Sequence, residues 1–276
     1  MSHLISTKAE IHPDAIIGKN VVIESFARID KNVTIGDNAW IASNATIYEG
    51  ARIGANCKVF PGAVISAIPQ DLKFKGEVSF VEIGDYTVIR ENATVNRGTA
   101  AKSITKIGKN SLLMAYSHVA HDCIIGDFCI LANGVQVAGE VEIDDWAIVG
   151  GMSTIHQFCR IGKHSMISGM SGVLSDVPPF VKAAGIPVVY QGINYVGLKR
   201  REFSKAEIDN IHNLYRVIYH DKLNTSQAVE NIEKNLEESL QKTEILTFIK
   251  SSKRGIIKRF NEKSLNKYNN HAEEDF

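Results

Sequence analysis

The chain has 276 residues, with 31 basic and 31 acidic side chains and a formal net charge of zero. That length is sufficient for a solenoid and a small second domain, and the balanced charge gives no argument for a nucleic-acid partner, so none is expected. No apolar run approaches the roughly 20 residues of a membrane span, and the first residues lack the basic-then-apolar pattern of a signal peptide.

A six-residue rhythm organises most of the chain. An aliphatic residue recurs at every sixth position over 11–65, and four residues after each comes a small or β-branched residue such as Ala15 or Val21. The period returns over 83–95 and over 107–173. A six-residue repeat predicts a parallel β-helix, in which three repeats close one triangular coil and residue i lies above residue i+18. Resemblance to hexapeptide-repeat proteins implies that it winds left-handed.

Ile-Gly pairs spaced by 18 residues mark successive coils and locate two insertions. The interval from Ile53 to Ile83 is 12 residues longer than one coil, and the interval from Ile83 to Ile107 is six longer. We therefore expect two loops to leave the coil, at roughly residues 66–79 and near Gly98–Lys106. Loops on a rigid scaffold are where binding groups tend to lie.

The rhythm stops at Val173, and Pro178 and Pro179 break the last coil because proline cannot donate to a strand ladder. The sequence therefore divides into a β-helix over residues 1–190 and an α-helical C-terminal domain with a polar tail over residues 191–276. The fold class is mainly β.

Three helices are expected in the C-terminal domain. Ser204 and Glu207 form a capping box at the start of the first. A second begins near Thr225, and a third covers Glu244–Lys253; the polar tail runs from residue 261 to the end. The apolar face assigned to the second helix comprises Val229, Ile232, Leu236 and Leu240.

Two basic clusters flank these helices, and each is either a solvated face or a docking surface for a phosphate-bearing ligand or an acidic protein. They are Lys199-Arg200-Arg201 and Lys253-Arg254 with Lys258-Arg259.

The cysteines all occupy the same inward corner of the hexad, which indicates packing and not a disulfide or metal set. A reducing, cytoplasmic location is expected. These residues are Cys57, Cys123, Cys129 and Cys159.

Two imidazoles and a carboxylate interrupt the rhythm at His118, His121 and Asp122. His121 is the third residue of its hexad, and Gly139 has that place in the next coil. An imidazole beside an unhindered backbone N–H can take a proton from a hydroxyl and stabilise an oxyanion, which is the chemistry of acyl transfer. No serine or cysteine nucleophile stands out, so direct attack by a substrate hydroxyl is favoured over a covalent intermediate.

Four motifs together resemble the family of UDP-N-acetylglucosamine O-acyltransferases, from about residue 10 to the end of the helical domain. The resemblance implies transfer of a 3-hydroxyacyl chain from acyl carrier protein to the 3-hydroxyl of UDP-N-acetylglucosamine, the first step of lipid A biosynthesis. It also implies a homotrimer with active sites between subunits, and no cofactor, since the donor carries its own phosphopantetheine. The motifs are His118-Val-Ala-His121-Asp122-Cys, Gln70-Asp71-Leu72-Lys73, Gly-Gly-Met152…His156-Gln157-Phe158-Cys and Gly197-Leu-Lys-Arg200-Arg201.

By the same resemblance, His121 is the general base, Asp122 orients it, and the backbone N–H of Gly139 binds the oxyanion. Gly169 matches the place that limits acyl-chain length. The implied substrate-binding residues are Gln70, Asp71, Lys73 and His118 for the sugar and phosphates, His156 and Gln157 for the donor or nucleotide cleft, and Asn194, Arg200 and Arg201 for the nucleotide.

Three positions depart from the family pattern: Glu140 and Asn96 each stand where a histidine is common, and Val196 where an acidic residue is usual. Alternatives are another hexapeptide N-acyltransferase or acetyltransferase, a γ-class carbonic anhydrase, and a non-catalytic solenoid. The anhydrase needs a third metal-binding histidine besides His118 and His121, and no third histidine has a clear claim. No metal is expected.

Overall fold

The computed structural model describes residues 5–221 and 223–259. Short strands separated by tight turns follow one another up to residue 173. They are β1 (Glu10–Ile11), β2 (Ile16–Ile17), β3 (Val22–Ile23), β4 (Arg28–Ile29), β5 (Thr34–Ile35), β6 (Trp40–Ile41), β7 (Thr46–Ile47), β8 (Ala51–Ile53), β9 (Lys58–Val59), β10 (Val64–Ala67), β11 (Phe80–Ile83), β12 (Val88–Ile89), β13 (Thr94–Asn96), β14 (Ile104–Ile107), β15 (Leu112–Leu113), β16 (His118–Val119), β17 (Ile124–Ile125), β18 (Ile130–Leu131), β19 (Gln136–Val137), β20 (Glu142–Ile143), β21 (Ile148–Val149), β22 (Thr154–Ile155), β23 (Arg160–Ile161), β24 (Met166–Ile167) and β25 (Gly172–Val173).

Every third strand joins the same parallel sheet, so the chain passes through three sheets in each coil. Sheet I contains β1, β4 and every third strand to β25; sheet II runs from β2 to β23, and sheet III from β3 to β24. Ile11 pairs with Ile29, and Ile29 with Ile47, which is the predicted spacing of 18. The structure confirms a left-handed parallel β-helix.

The second residue of each two-residue strand points into the prism and packs in or against the core. Ile23, Ile41 and Val59 are each 0% exposed. Burying such a side chain contributes about 1.5–3 kcal/mol, and the stacked coils repeat that gain along the axis. The four cysteines are buried and unpaired, as their inward corner position predicted.

The turns between sheets place one residue per corner in the left-handed region. In the lower coils asparagine serves there, as at Asn38 (φ 57°) and Asn44 (φ 60°), because asparagine tolerates this conformation. In the upper coils the same places hold Asp122 (φ 58°), Glu140 (φ 59°) and Trp146 (φ 62°). Residues that are held in the left-handed conformation without a local stabilising interaction are typical of functional sites.

Both predicted loops leave the coil where the spacing placed them. Ile53 pairs with Ile83, and Ile83 with Ile107, so the ladder continues across each insertion. The first loop, residues 68–79, joins β10 to β11. The second, residues 97–103, is shorter than expected because β14 already begins at Ile104.

After the last coil, β26 (Val181–Ala184) extends sheet III, and β27 (Val189–Ile193) pairs with it antiparallel. The predicted division between residues 190 and 191 falls inside β27. Four helices follow: α1 (Tyr195–Arg200), α2 (Lys205–His220), α3 (Thr225–Asn235) and α4 (Leu240–Ser251).

The helix predictions need three corrections. Helix α1 was not predicted. Helix α3 ends at Asn235, so Leu236 and Leu240 do not extend its apolar face. Helix α4 begins four residues before the predicted Glu244, because Ser239 accepts a hydrogen bond from the backbone of Lys242 and caps the helix there.

The capping box of Ser204 and Glu207 at the start of α2 is confirmed. The polar tail from residue 261 lies outside the described residues. Within residues 5–221 and 223–259, every helix is too short or too polar to cross a membrane.

Candidate active site

His121 and Asp122 form a hydrogen-bonded pair on the corner that follows β16, between sheets I and II. Nδ1 of His121 lies 2.8 Å from Oδ2 of Asp122. The imidazole is 18% exposed and the carboxylate 0%. Because an ionised carboxylate only accepts, Nδ1 carries the proton and the lone pair is on Nε2, which is the form a general base requires.

Asp122 is buried but remains ionised. Burial raises the pKa of its carboxyl group, but hydrogen bonds from the Thr99 side chain, from His121 and from the Thr99 and Lys102 backbones outweigh that effect and hold the pKa below its ordinary value. Asp122 is therefore a carboxylate at neutral pH, and it can stabilise the imidazolium that forms when His121 takes a proton.

Gly139 lies directly against the His121 ring. A Cβ at position 139 would lie 2.6 Å from both Cε1 and Nε2 of the imidazole. The backbone N–H of Gly139 finds no hydrogen-bond acceptor within residues 5–221 and 223–259. This N–H is therefore available to bind an oxyanion. That is the role predicted from the place of Gly139 one coil above His121.

The first loop folds over the same corner and brings Asp71 to His121 of the same chain. Oδ2 of Asp71 lies 4.0 Å from Nε2 of His121. The backbone N–H of Lys73 donates to Oδ1 of Asp71 at 2.9 Å, which holds a tight turn at the tip. Gln70 and Lys73 lie on the same loop and are exposed, so Asp71 is the loop side chain that the structure brings to the base.

His118 stands on the outer face of sheet I, three residues before His121. Its Nδ1 lies 2.7 Å from Oγ1 of Thr94 in the coil below, which fixes the ring. Burial lowers the pKa of His118, so the ring is neutral at neutral pH and serves as a hydrogen-bonding group more readily than as a cation.

Gln157 lies one coil above Gly139 on the same corner, and His156 precedes it. Both are exposed, and Nδ1 of His156 lies 3.0 Å from the backbone oxygen of Gln157. The corner thus stacks His121, Gly139 and Gln157 at the coil spacing, and the structure gathers these predicted residues into one strip.

The predicted nucleotide-binding residues lie on a different corner, between sheets II and III. Asn194 caps α1: its side chain accepts from the N–H of Gly197 at 3.2 Å and donates to the carbonyl of His164 at 2.8 Å. Arg201 donates to the carbonyl of Trp146 at 3.0 Å, and its guanidinium lies 5.2 Å from that ring's centroid. Within one chain these groups do not meet His121.

Gly169 occupies the third corner, between sheets III and I. A Cβ there would lie 3.1 Å from the carbonyl oxygen of Gly151 one coil below. The predicted chain-length position and the predicted base are thus separated by the width of sheet I in a single chain. Arg200, at the end of α1, is exposed.

The three departures have different surroundings. Asn96 is 3% exposed and donates to the carbonyl of Ile68 at 3.2 Å, so it anchors the base of the first loop. Val196 is 58% exposed. Glu140 follows Gly139 on the catalytic corner, where its backbone N–H donates to the carbonyl of His121 at 2.9 Å.

Sequence reasoning missed two threonines that hold the histidines, Thr94 on His118 and Thr99 on Asp122. The spacing located the second loop, but it did not show which residue of that loop contacts Asp122. The residues of the described segments contain no group of three or more His, Cys, Asp or Glu side chains placed to hold a metal.

Comparisons with known proteins agree with this geometry. A family model described as Udp N-acetylglucosamine O-acyltransferase, Domain 2, matches residues 176–257, and the bacterial transferase hexapeptide model matches 32–67 and 104–139. An acyl-acyl-carrier-protein–UDP-N-acetylglucosamine O-acyltransferase from Aliarcobacter butzleri is 45% identical over 196 residues, covering 70% of this chain and 74% of the relative. The Thiobacillus denitrificans protein of that name is 41% identical over 69% of this chain and 74% of its own.

Solved structures resemble the whole molecule. A UDP-N-acetylglucosamine acyltransferase from Bacteroides fragilis has a TM-score of 0.90 and 52% identity, covering 92% of this chain and 100% of that one. The Francisella novicida enzyme has a TM-score of 0.91 and 39% identity, covering 94% and 96%. The fold and its histidine corner define a hexapeptide-repeat acyltransferase. The chain belongs to the UDP-N-acetylglucosamine O-acyltransferase family.

Proposed function

We propose that the protein transfers a 3-hydroxyacyl chain from acyl carrier protein to the 3-hydroxyl of UDP-N-acetylglucosamine, the first step of lipid A biosynthesis. The observation that carries this proposal is the His121–Asp122 pair beside the free backbone N–H of Gly139. Family membership identifies the substrates, since the curated relatives are named for both of them.

The residues supply a direct acyl transfer that passes through a tetrahedral intermediate and forms no covalent bond to the enzyme. Nε2 of His121 takes the proton of the sugar hydroxyl as its oxygen attacks the thioester carbonyl. The backbone N–H of Gly139 stabilises the resulting oxyanion. The intermediate collapses, the C–S bond breaks, and the imidazolium returns its proton to the departing phosphopantetheine thiolate. Cysteine is an unsuitable nucleophile here, because burial raises the pKa of the Cys123 thiol to about 12.

Gln70, Asp71 and Lys73 on the first loop are proposed to hold the sugar and its phosphates over His121, together with His118; the contact of Asp71 with His121 supports this role for the loop. His156 and Gln157 continue the same strip upward, where the donor or nucleotide cleft is expected. No resident cofactor is proposed, since the donor thioester arrives with its own phosphopantetheine.

We further propose a homotrimer with sites between subunits. Catalytic, nucleotide-binding and chain-length residues occupy three different corners of one chain, so a second copy must bring the missing corners to His121. A face suited to that contact exists on sheet III, where five consecutive outer positions between Lys58 and Lys182 form an apolar column. The column consists of Val88, Leu112, Ile130, Ile148 and Met166.

The corresponding column of sheet II is mostly charged, which favours solvent. It consists of Arg52, Glu82, Lys106, Ile124, Glu142 and Arg160. A cytoplasmic location is proposed from four unpaired, buried cysteines. The basic clusters around the helices are proposed to receive the acidic acyl carrier protein.

The test uses purified protein, UDP-N-acetylglucosamine and a mixture of 3-hydroxyacyl carrier proteins, with mass spectrometry of the product. We expect a sugar nucleotide with one added 3-hydroxyacyl group, released by mild alkali as an ester is. An alkali-stable amide product would indicate an N-acyltransferase instead. Absence of any acylated sugar nucleotide, with correctly folded protein and active donor, would contradict the proposal.

A further inference from the structure

The second loop wraps around the carboxylate of Asp122. The backbone N–H of Thr99 lies 3.0 and 3.1 Å from its two oxygens, and Oγ1 of Thr99 donates to Oδ2 at 2.6 Å. The backbone N–H of Lys102 donates to Oδ1 at 3.1 Å. Thr99 is 7% exposed and Asp122 0%. Within the described segments, every hydrogen bond that this carboxylate accepts comes either from the His121 ring or from this loop.

The direction of the Thr99 hydroxyl is fixed by its two partners. The backbone N–H of Ala101 donates to Oγ1 at 3.2 Å, so the hydroxyl hydrogen is left for the carboxylate. It goes to Oδ2 of Asp122, the same oxygen that receives Nδ1–H of His121. Thr99 and the general base therefore share one acceptor atom, and any movement of that oxygen changes the aim of the imidazole.

The loop that carries Thr99 is closed by several short contacts. A Cβ at Gly98 would lie 2.2 Å from the backbone nitrogen that opens the next strand, so only glycine allows this close approach. The N–H of Ser103 donates to the carbonyl of Thr99 at 2.7 Å. On the outside, Nζ of Lys102 lies 3.3 Å from Glu142. A loop closed in this way can hold Asp122 in one position.

We propose that Thr99 is a positioning residue for the general base. Its hydroxyl holds Oδ2 of Asp122 in the place from which that oxygen accepts Nδ1–H of His121 and so keeps Nε2 directed at the acceptor hydroxyl. Thr99 lies behind the buried carboxylate and acts only through it. The expected effect on kcat rests on the proposed function. The hydrogen bonds among Thr99, Asp122 and His121 do not depend on a substrate.

The kinetic test is Thr99→Val, which removes the hydroxyl and preserves the backbone N–H and the shape. We expect kcat to fall about 10- to 100-fold while KM stays within about twofold, because small misplacements of a catalytic group act on the chemical step. Thr99→Ser restores the hydroxyl and should recover most of kcat. Thr99→Ala gives the same comparison if the valine variant folds poorly.

Thr87→Val is the matched control. Thr87 is also 0% exposed, its hydroxyl donates to the carbonyl of Gly108 at 2.7 Å, and it accepts from the N–H of Ser111 at 3.2 Å. The substitution removes the same kind of bond from the same solenoid without touching Asp122. It should lower the melting temperature comparably and preserve kcat.

A second readout needs no substrate: the downfield proton NMR resonance of His121 Nδ1–H, assigned with His121→Gln. It should shift or broaden in Thr99→Val and stay unchanged in Thr99→Ser and Thr87→Val. An unchanged resonance with wild-type kcat in Thr99→Val overturns the inference, as does an equal loss of kcat in Thr87→Val. If wild type transfers no acyl chain, the proposed function fails, and the resonance alone still decides the role of Thr99.

Discussion

The imidazole of His121 occupies the space that a side chain at position 139 would need. A Cβ on Gly139 would lie 2.6 Å from two ring atoms, closer than real carbon contacts allow. The glycine therefore has two effects: it lets the base lie against the coil above, and it leaves a backbone N–H beside the ring. The base and the proposed oxyanion site are positioned by one packing contact.

Gly139→Ala tests that contact. The added methyl group must push the imidazole of His121, and Nε2 with it, out of its present position. We therefore expect kcat to fall by about 10²-fold with a smaller change in KM. Gly139 does not have a positive φ, so alanine is tolerated by the backbone. Steady-state kinetics with thermal melting as control checks this. A folded variant with wild-type kcat would mean that His121 does not need this position.

His121→Ala removes the proposed general base. Loss of a positioned base costs on the order of 10²–10⁴ in turnover, and the solenoid should stay intact because His121 lies on an outer corner and not in the stacked aliphatic core. His118→Ala should be milder and act partly through KM, since His118 borders the base without sharing Asp122. Near-normal turnover of folded His121→Ala protein would rule out the acid–base assignment.

Asp122 links the site to acid stability. Its pKa lies below the ordinary value of 3.8 in the folded protein, so its ionised form stabilises the fold fully above that pH, and this contribution is lost as pH falls through the folded pKa. Asp122→Asn should remove this part of the acid dependence.

The asparagine should also destabilise at neutral pH by about 1–3 kcal/mol, because its amide group would face the loop's N–H donors. Chemical denaturation of both proteins from about pH 7 down to about pH 2, which extends well below the ordinary value of 3.8, measures the difference. Parallel curves for wild type and variant across this range would show that Asp122 does not supply the acid-sensitive term.

The six-residue period was enough to predict the β-helix, its register and both loops, because inward packing at every sixth position repeats along the sheets and is interrupted only where the two loops leave the coil. The site was predicted less completely. His121, Asp122 and Gly139 follow from coil arithmetic, but the contact of Asp71 with His121 depends on a loop path that has no period. Thr99 was invisible because its partner lies 23 residues away, across an irregular insertion that spacing locates without describing.

Ile148→Lys tests self-association through sheet III. A lysine in the middle of the apolar column would remove about 2 kcal/mol of apolar burial free energy for each substituted side chain and would bury a charge in the interface. We expect sedimentation equilibrium to show dissociation to monomers, and activity to fall with it. Ile124→Lys, the same substitution between charged neighbours on sheet II, is the control and should stay assembled. Trimers that persist in Ile148→Lys would place the interface elsewhere.

Gly169→Met tests the limit on acyl-chain length. Gly169 does not have a positive φ, and a Cβ there meets only the Gly151 carbonyl oxygen within 3.4 Å, so the backbone can accept a side chain that projects from the corner. If the acyl tail passes this corner, each buried CH₂ contributes about 0.8 kcal/mol and overpacking costs about 1–3 kcal/mol. The methionine should then offset the gain from the last few methylenes and shift the preference to shorter donors.

The measurement is kcat/KM across a series of 3-hydroxyacyl carrier proteins for wild type, Gly169→Ala and Gly169→Met. Short donors should be little affected, and the loss should grow with chain length and with the size of residue 169. An equal loss at every length would mean that the corner needs glycine for the approach to Gly151 and sets no limit on the chain. Gly169 and His121 lie on different corners of one subunit. A length-dependent loss would therefore also mean that the acyl tail extends from the His121 of one subunit to the Gly169 of a neighbouring copy.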